Sequence, residues 1–149
     1  MLDHRLLPEE PLPDATLAVM ELPLSADQRT VLRGRRRTAC GRDVLLQLPR
    51  DRALSPGDRL TDSQRKVRVL VTAAAEELLR VEAATPLALL EAAYHLGNRH
   101  VALELHEHEL LLLNDSVLAA MLNGRGLKLT RCCGPFRPEG GAYLAHQHA

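Results

Sequence analysis

Between residues 77 and 130 the apolar pattern of this chain switches repeatedly between strand and helix periods, in the order βαββαβ, and few folds accept that order. A strand over 77–82 (Glu-Leu-Leu-Arg-Val-Glu) is followed by Thr85-Pro86, which opens a helix with proline in the first turn, where its missing N–H costs nothing. Leu87, Leu90, Ala93 and Tyr94 are expected to form that helix's buried stripe. The helix is expected to stop at Gly97-Asn98, with glycine supplying the left-handed cap. A strand over 101–105, a turn at His106-Glu107-His108 and a return strand over 109–113 follow. Asn114-Asp115-Ser116 then caps a second helix through Leu118, Met121 and Leu122, and Gly124 and Gly126 precede a last strand over 127–130. This is the order of the ferredoxin-like split βαβ, an antiparallel sheet with two helices on one face.

The first half reads differently. Strands are expected over 15–22, 33–38, 43–48 and 66–71, with Ser25 capping a short turn of helix after Pro23. Cys40-Gly41-Arg42-Asp43 and Ser55-Pro56-Gly57-Asp58 are turn signals between them. The expectation is therefore an α+β chain, with a small β domain over 1–72 and a ferredoxin-like domain over 73–149. With 149 residues, 46% of them hydrophobic, there is enough apolar mass for such cores. One Phe, two Tyr and no Trp mean that those cores are aliphatic, and they remove the stacking platforms that single-stranded nucleic acid needs. Nineteen basic residues balance nineteen acidic ones, so no global field favours nucleic acid or an anionic membrane, and Arg33, Arg35, Arg36 and Arg37 read as a solvated strand edge. No apolar run approaches a membrane span and the N-terminus lacks a signal-peptide pattern, which predicts a cytoplasmic protein without a membrane partner. Cys40 and the adjacent Cys132-Cys133 form no CxxC and are odd in number, which argues against a disulfide framework.

Histidine placement raises the functional question, because imidazole suits nickel, copper and zinc and six of the seven histidines lie beyond residue 94. His100 follows the end of the first helix of the second half, and His146 and His148 sit two apart at the C-terminus. His95 lies five positions before His100, on another face of the helix, and reads as a packing or supporting group. His106 and His108 read as a solvated turn, and His4 carries no case for metal. Cys132 and Cys133 point to opposite faces of a strand, one expected buried and one exposed. No Ser/His/Asp set, paired carboxylates or GxxxxGK phosphate loop is present, so no enzyme is expected.

The unbroken run Tyr94-His95-Leu96-Gly97-Asn98-Arg99-His100 and the closing run Pro135-Phe136-Arg137-Pro138-Glu139-Gly140-Gly141-Ala142-Tyr143 resemble the urease accessory protein UreE family of nickel metallochaperones. More weakly, Leu24-Ser25-Ala26-Asp27-Gln28-Arg29 and Ser55-Pro56-Gly57-Asp58 are similar to segments of the same family. The resemblance implies a homodimer that binds nickel, with Cu²⁺ or Zn²⁺ accepted in vitro. In it His100 of both subunits faces one ion, and His146 or His148 completes the set. It also implies a protein-binding β domain, the urease accessory GTPase UreG as partner and, through it, the apo-urease accessory complex. The family often carries further histidines at the start of the second helix of this domain, where Asn114 and Ser116 stand here, so an auxiliary site there is not expected. Other readings of the same residues are a histidine-based store or buffer for nickel, copper or zinc, and a dimeric interaction module without metal.

Overall fold

The computed structural model of the chain describes residues 1–6 and 18–140. Within it the fold is mixed α/β and divides into two compact units, Met1–Ala74 and Ala75–Ala149. His146 and His148, the closing Tyr143 and the first residues of the strand expected over 15–22 lie outside the described residues.

In the first unit, β1 (His4–Leu6), β5 (Arg59–Thr61), β6 (Arg68–Ala73) and β2 (Val19–Leu24) form one sheet in that order, with β2 parallel to β6 and the other pairs antiparallel. β3 (Arg33–Arg37) and β4 (Asp43–Gln47) make a separate hairpin. Ser25 caps the short α1 (Ala26–Arg29) through a full capping box: its hydroxyl accepts from the Gln28 N–H, and the Gln28 side chain accepts from the Ser25 N–H. Two strands escaped the sequence reading, β1 and β5, each too short to show alternation. His4 accordingly lies in β1, paired with Thr61. Leu2, Leu22, Leu24, Leu46, Leu60, Val69 and Val71 close an entirely aliphatic core.

The second unit runs β7 (Ala75–Glu82), α2 (Pro86–Asn98), β8 (Glu104–Leu105), β9 (Leu110–Leu113), α3 (Ser116–Gly124) and β10 (Lys128–Pro135). Its sheet is ordered β10-β7-β9-β8 and is antiparallel throughout. Leu79 and Val81 of β7 and Leu110 and Leu112 of β9 present alternate side chains to one face, and Leu89, Ala92 and Leu96 of α2 and Leu122 of α3 are buried against them. Leu112 and Leu122 have no solvent exposure. Leu112→Ala is expected to cost about 3 kcal/mol, the usual toll of an aliphatic cavity, measured as a lower urea midpoint with unchanged slope.

Three local expectations are corrected here. The buried stripe of α2 is Leu89, Ala92 and Leu96, whereas Leu87, Leu90 and Tyr94 are 64%, 67% and 66% exposed. Both stripes have the same i, i+3, i+7 spacing, so periodicity could not choose between them. The strand expected over 101–105 is reduced to the two residues of β8, because the chain after α2 is occupied in closing the helix. The last strand, by contrast, continues past Thr130 to Pro135, in register with β7 along its whole length.

Candidate metal centre

Helix α2 starts at Thr85, whose hydroxyl accepts from the Ala88 N–H at 3.1 Å. Its other end is closed by two reverse hydrogen bonds, His100 N–H to the Gly97 carbonyl at 3.0 Å and Val101 N–H to the Leu96 carbonyl at 3.1 Å. This is a Schellman closure in which the residue after the cap must turn left-handed, a place glycine usually takes. Here His100 takes it, with φ +58°. Gly97 lies inside the helix and does not have positive φ, which corrects the expected cap.

Helix α3 ends the same way and supplies the internal comparison. Gly126 N–H bonds to the Asn123 carbonyl at 3.0 Å and Leu127 N–H to the Leu122 carbonyl at 3.3 Å, with Gly126 at φ +80°. Leu96 and Leu122 occupy equivalent positions, both fully buried, as do Val101 and Leu127. One helix therefore uses glycine where the other uses histidine. A left-handed residue with a Cβ costs roughly 1–2 kcal/mol, although histidine tolerates the region better than most. The outlier holds an exposed imidazole just past a helix end, in a place fixed by backbone hydrogen bonds.

The other histidines are placed differently. His95 is half-buried and meets the Tyr94 ring edge-on, with centroids 5.4 Å apart, consistent with a packing role. His106 and His108 lie in the exposed turn between β8 and β9, with His106 Nε2 2.6 Å from Glu104 Oε2. Asp115 is the cap of α3, accepting from the N–H groups of Val117 and Leu118. Cys132 is half-buried and Cys133 exposed, so neither thiol is enclosed. Among the described residues, no three or more His, Cys, Asp or Glu side chains gather as a metal-binding group. His100 alone cannot hold a divalent ion, so any tight site must draw ligands from the C-terminal residues or from a second copy. Since neither cysteine adjoins His100 in sequence or is gathered with it, Cys132→Ser and Cys133→Ser are each expected to leave the number of bound nickel ions per chain unchanged in equilibrium dialysis.

In the first unit a groove of about 620 Å³ is lined by Met1, Met20, Val67, Arg35, Arg36 and Arg42 among others. Exposed Arg37 pairs with Asp43 at 3.0 Å. At the nearby turn the Cys40 thiol is held below its ordinary pKa chiefly by its hydrogen bond with Thr38, although the group is exposed.

The profile of the UreE urease accessory protein, C-terminal domain, matches residues 76–149. A protein of Synechococcus sp. strain CC9311 named urease accessory protein UreE is 85% identical over 149 residues, covering 100% of this chain and 96% of its own length. The chain belongs to the UreE urease accessory protein family. Relatives of the same name from Parasynechococcus marenigrum and Thermosynechococcus vestitus are 68% identical over 134 residues and 49% identical over 140. They cover 90% and 91% of this chain, and 89% and 94% of their own lengths. The run Tyr94–His100, which lies within the matched residues, thus ends at the left-handed cap of α2. Sequence reading alone missed that backbone device, whose one visible signal is the likeness between Asn98-Arg99-His100-Val101 and Gly124-Arg125-Gly126-Leu127.

Proposed function

We propose that the chain is a metallochaperone of urease maturation that carries nickel on a homodimer, with His100 of both copies facing one ion and His146 and His148 completing the ligand set. The observation that carries this reading is the placement of His100 in a glycine position at the end of a helix whose outer stripe, Leu87, Leu90 and Tyr94, is apolar and exposed. A helix apolar on both faces is ordinarily covered on both. A two-fold pairing over the outer stripe would cover it and double each ligand at once. Nickel accepts four to six nitrogen or oxygen ligands, and Cu²⁺ and Zn²⁺ would compete in vitro because imidazole suits them as well.

The βαββαβ order and the antiparallel arrangement β10-β7-β9-β8 support a ferredoxin-like reading of the second unit as the metal-binding domain. The first unit is the protein-binding half in this account, its arginine-lined groove suited to an acidic segment of a partner. The partners are the accessory GTPase UreG and, through it, the apo-urease accessory complex, in the cytoplasm. Among the described residues no helix is long and apolar enough to cross a membrane. The chain acts as an accessory carrier rather than as a catalyst, and its balanced charge gives nucleic acid no purchase.

Equilibrium dialysis against Ni²⁺ tests the reading, with one tightly held ion per two chains as the minimum expected. Protonated imidazole does not coordinate, so the affinity should fall as the solution is taken from neutral to mildly acidic. Affinity unchanged between neutral and mildly acidic solution would point to carboxylate or thiolate ligands instead.

A further inference from the structure

We infer that Arg36 recognises a carboxylate of an extended acidic peptide, one of whose apolar side chains enters the groove of the first unit. The inference deepens the protein-binding role proposed above for that unit. Arg33, Arg35 and Arg37 are exposed on β3, as a solvated strand edge should be, but strand alternation turns Arg36 to the opposite face, with Gly34 and across from Val44. That face is the covered one, since Leu46, across from Gly34, has no solvent exposure. A Cβ at Gly34 would lie 3.7 Å from Arg36 Nη1, so the guanidinium packs over a position that carries no side chain. Its Nη1 donates to the Arg35 carbonyl at 2.7 Å, while Nε is buried without a hydrogen-bond partner.

A half-buried cation with an idle donor is costly until an anion meets it. Asp43, the one acid lining the groove, is already taken by Arg37 at 3.0 Å, and among the described residues no carboxylate pairs with Arg35, Arg36 or Arg42. The rest of the lining is largely apolar, with Met1, Met20, Val44 and Val67, and methionine adapts to side chains of different shape. Unneutralised guanidinium groups beside a pliable apolar wall fit a segment in which an aliphatic residue stands between acids. A polynucleotide would satisfy the cations but leave the apolar wall unused.

Fluorescence anisotropy of labelled peptides with the full chain tests this. Glu-Glu-Leu-Glu-Glu should bind the parent, and Arg36→Gln should weaken it about tenfold or more, the worth of a shielded hydrogen bond between charges. Arg33→Gln removes the same charge from the same strand outside the groove and should bind like the parent. Gln-Gln-Leu-Gln-Gln and Glu-Glu-Ser-Glu-Glu should each bind more weakly, because each lacks one half of the match. Since Arg36 has no anionic partner in the free chain, Arg36→Gln should melt no lower than the parent, and a clear fall would make Arg36 a structural group and overturn its recognition role. No binding of the acidic peptide, equal losses from the two arginine variants, or a serine peptide or oligothymidylate that binds as well as the leucine peptide would each overturn the groove assignment. A parent chain that binds the peptide but not purified UreG would uphold the groove and remove that GTPase as its partner. UreG binding without peptide binding would overturn the groove and leave the partner in place.

Discussion

His100→Gly is expected to abolish tight nickel binding while leaving the fold and the dimer intact. Glycine is the residue that the Schellman closure ordinarily takes, and Gly126 shows that this unit accepts it at the equivalent end of α3. Relief of the left-handed Cβ, roughly 1–2 kcal/mol, is partly offset by the greater freedom of glycine in the unfolded chain, about 0.4–1 kcal/mol. The melting temperature should accordingly stay within about 3 °C of the parent. Binding should behave otherwise, because in the proposed two-fold site the substitution removes both imidazoles at once. Loss of a supporting group alone commonly costs 10–100-fold in metal affinity, so loss of two ligands should exceed about 100-fold by calorimetry. His100→Ala would remove the same imidazoles but keep the Cβ in the left-handed region, which makes glycine the cleaner substitution. Parent-like nickel affinity in the glycine variant would sink the assignment of His100.

The second large effect is expected from Leu90→Asp. Leu90 is 67% exposed in the single chain and lies between Leu87 and Tyr94 on the outer stripe of α2. A charge there costs the isolated protomer little, since the side chain faces solvent, but a two-fold interface over the stripe would have to desolvate two carboxylates. At about 2 kcal/mol each, dimer affinity should fall by roughly three orders of magnitude. Sedimentation at micromolar concentration should then show monomer with parent-like circular dichroism, and tight nickel binding should vanish with the dimer. A variant that stays dimeric would place the interface elsewhere.

How far the sequence could be read depended on whether local chemistry was decisive. Thr85-Pro86, Asn114-Asp115-Ser116 and Ser25 announced helix starts that the structure places within a residue of expectation, because a cap is a contact between near neighbours. The element order of the second half followed from periodicity together with these cap and turn signals. The outer and inner stripes of α2 could not be told apart, since Leu87-Leu90-Tyr94 and Leu89-Ala92-Leu96 are equally apolar and only the sheet decides which is covered. β1 and β5 were hidden because three residues carry too little alternation, and β10 outran its expected end because pairing with β7 overrides the weak strand preference of Cys132-Cys133-Gly134-Pro135. Among the proposed ligands, His100 is the one that its motif singles out in the sequence. Its left-handed backbone was not legible there, since the glycine rule pointed to Gly97.

The most direct test of the shared ion is a mixed dimer, in which one parent subunit and one His100→Gly subunit carry different affinity tags and are purified through both. If a single nickel ion needs the imidazole of each copy, the mixed dimer should bind as poorly as the dimer in which both subunits are changed. Tight binding retained at half the parent stoichiometry would show that each chain holds its own ion, and would contradict the interfacial site.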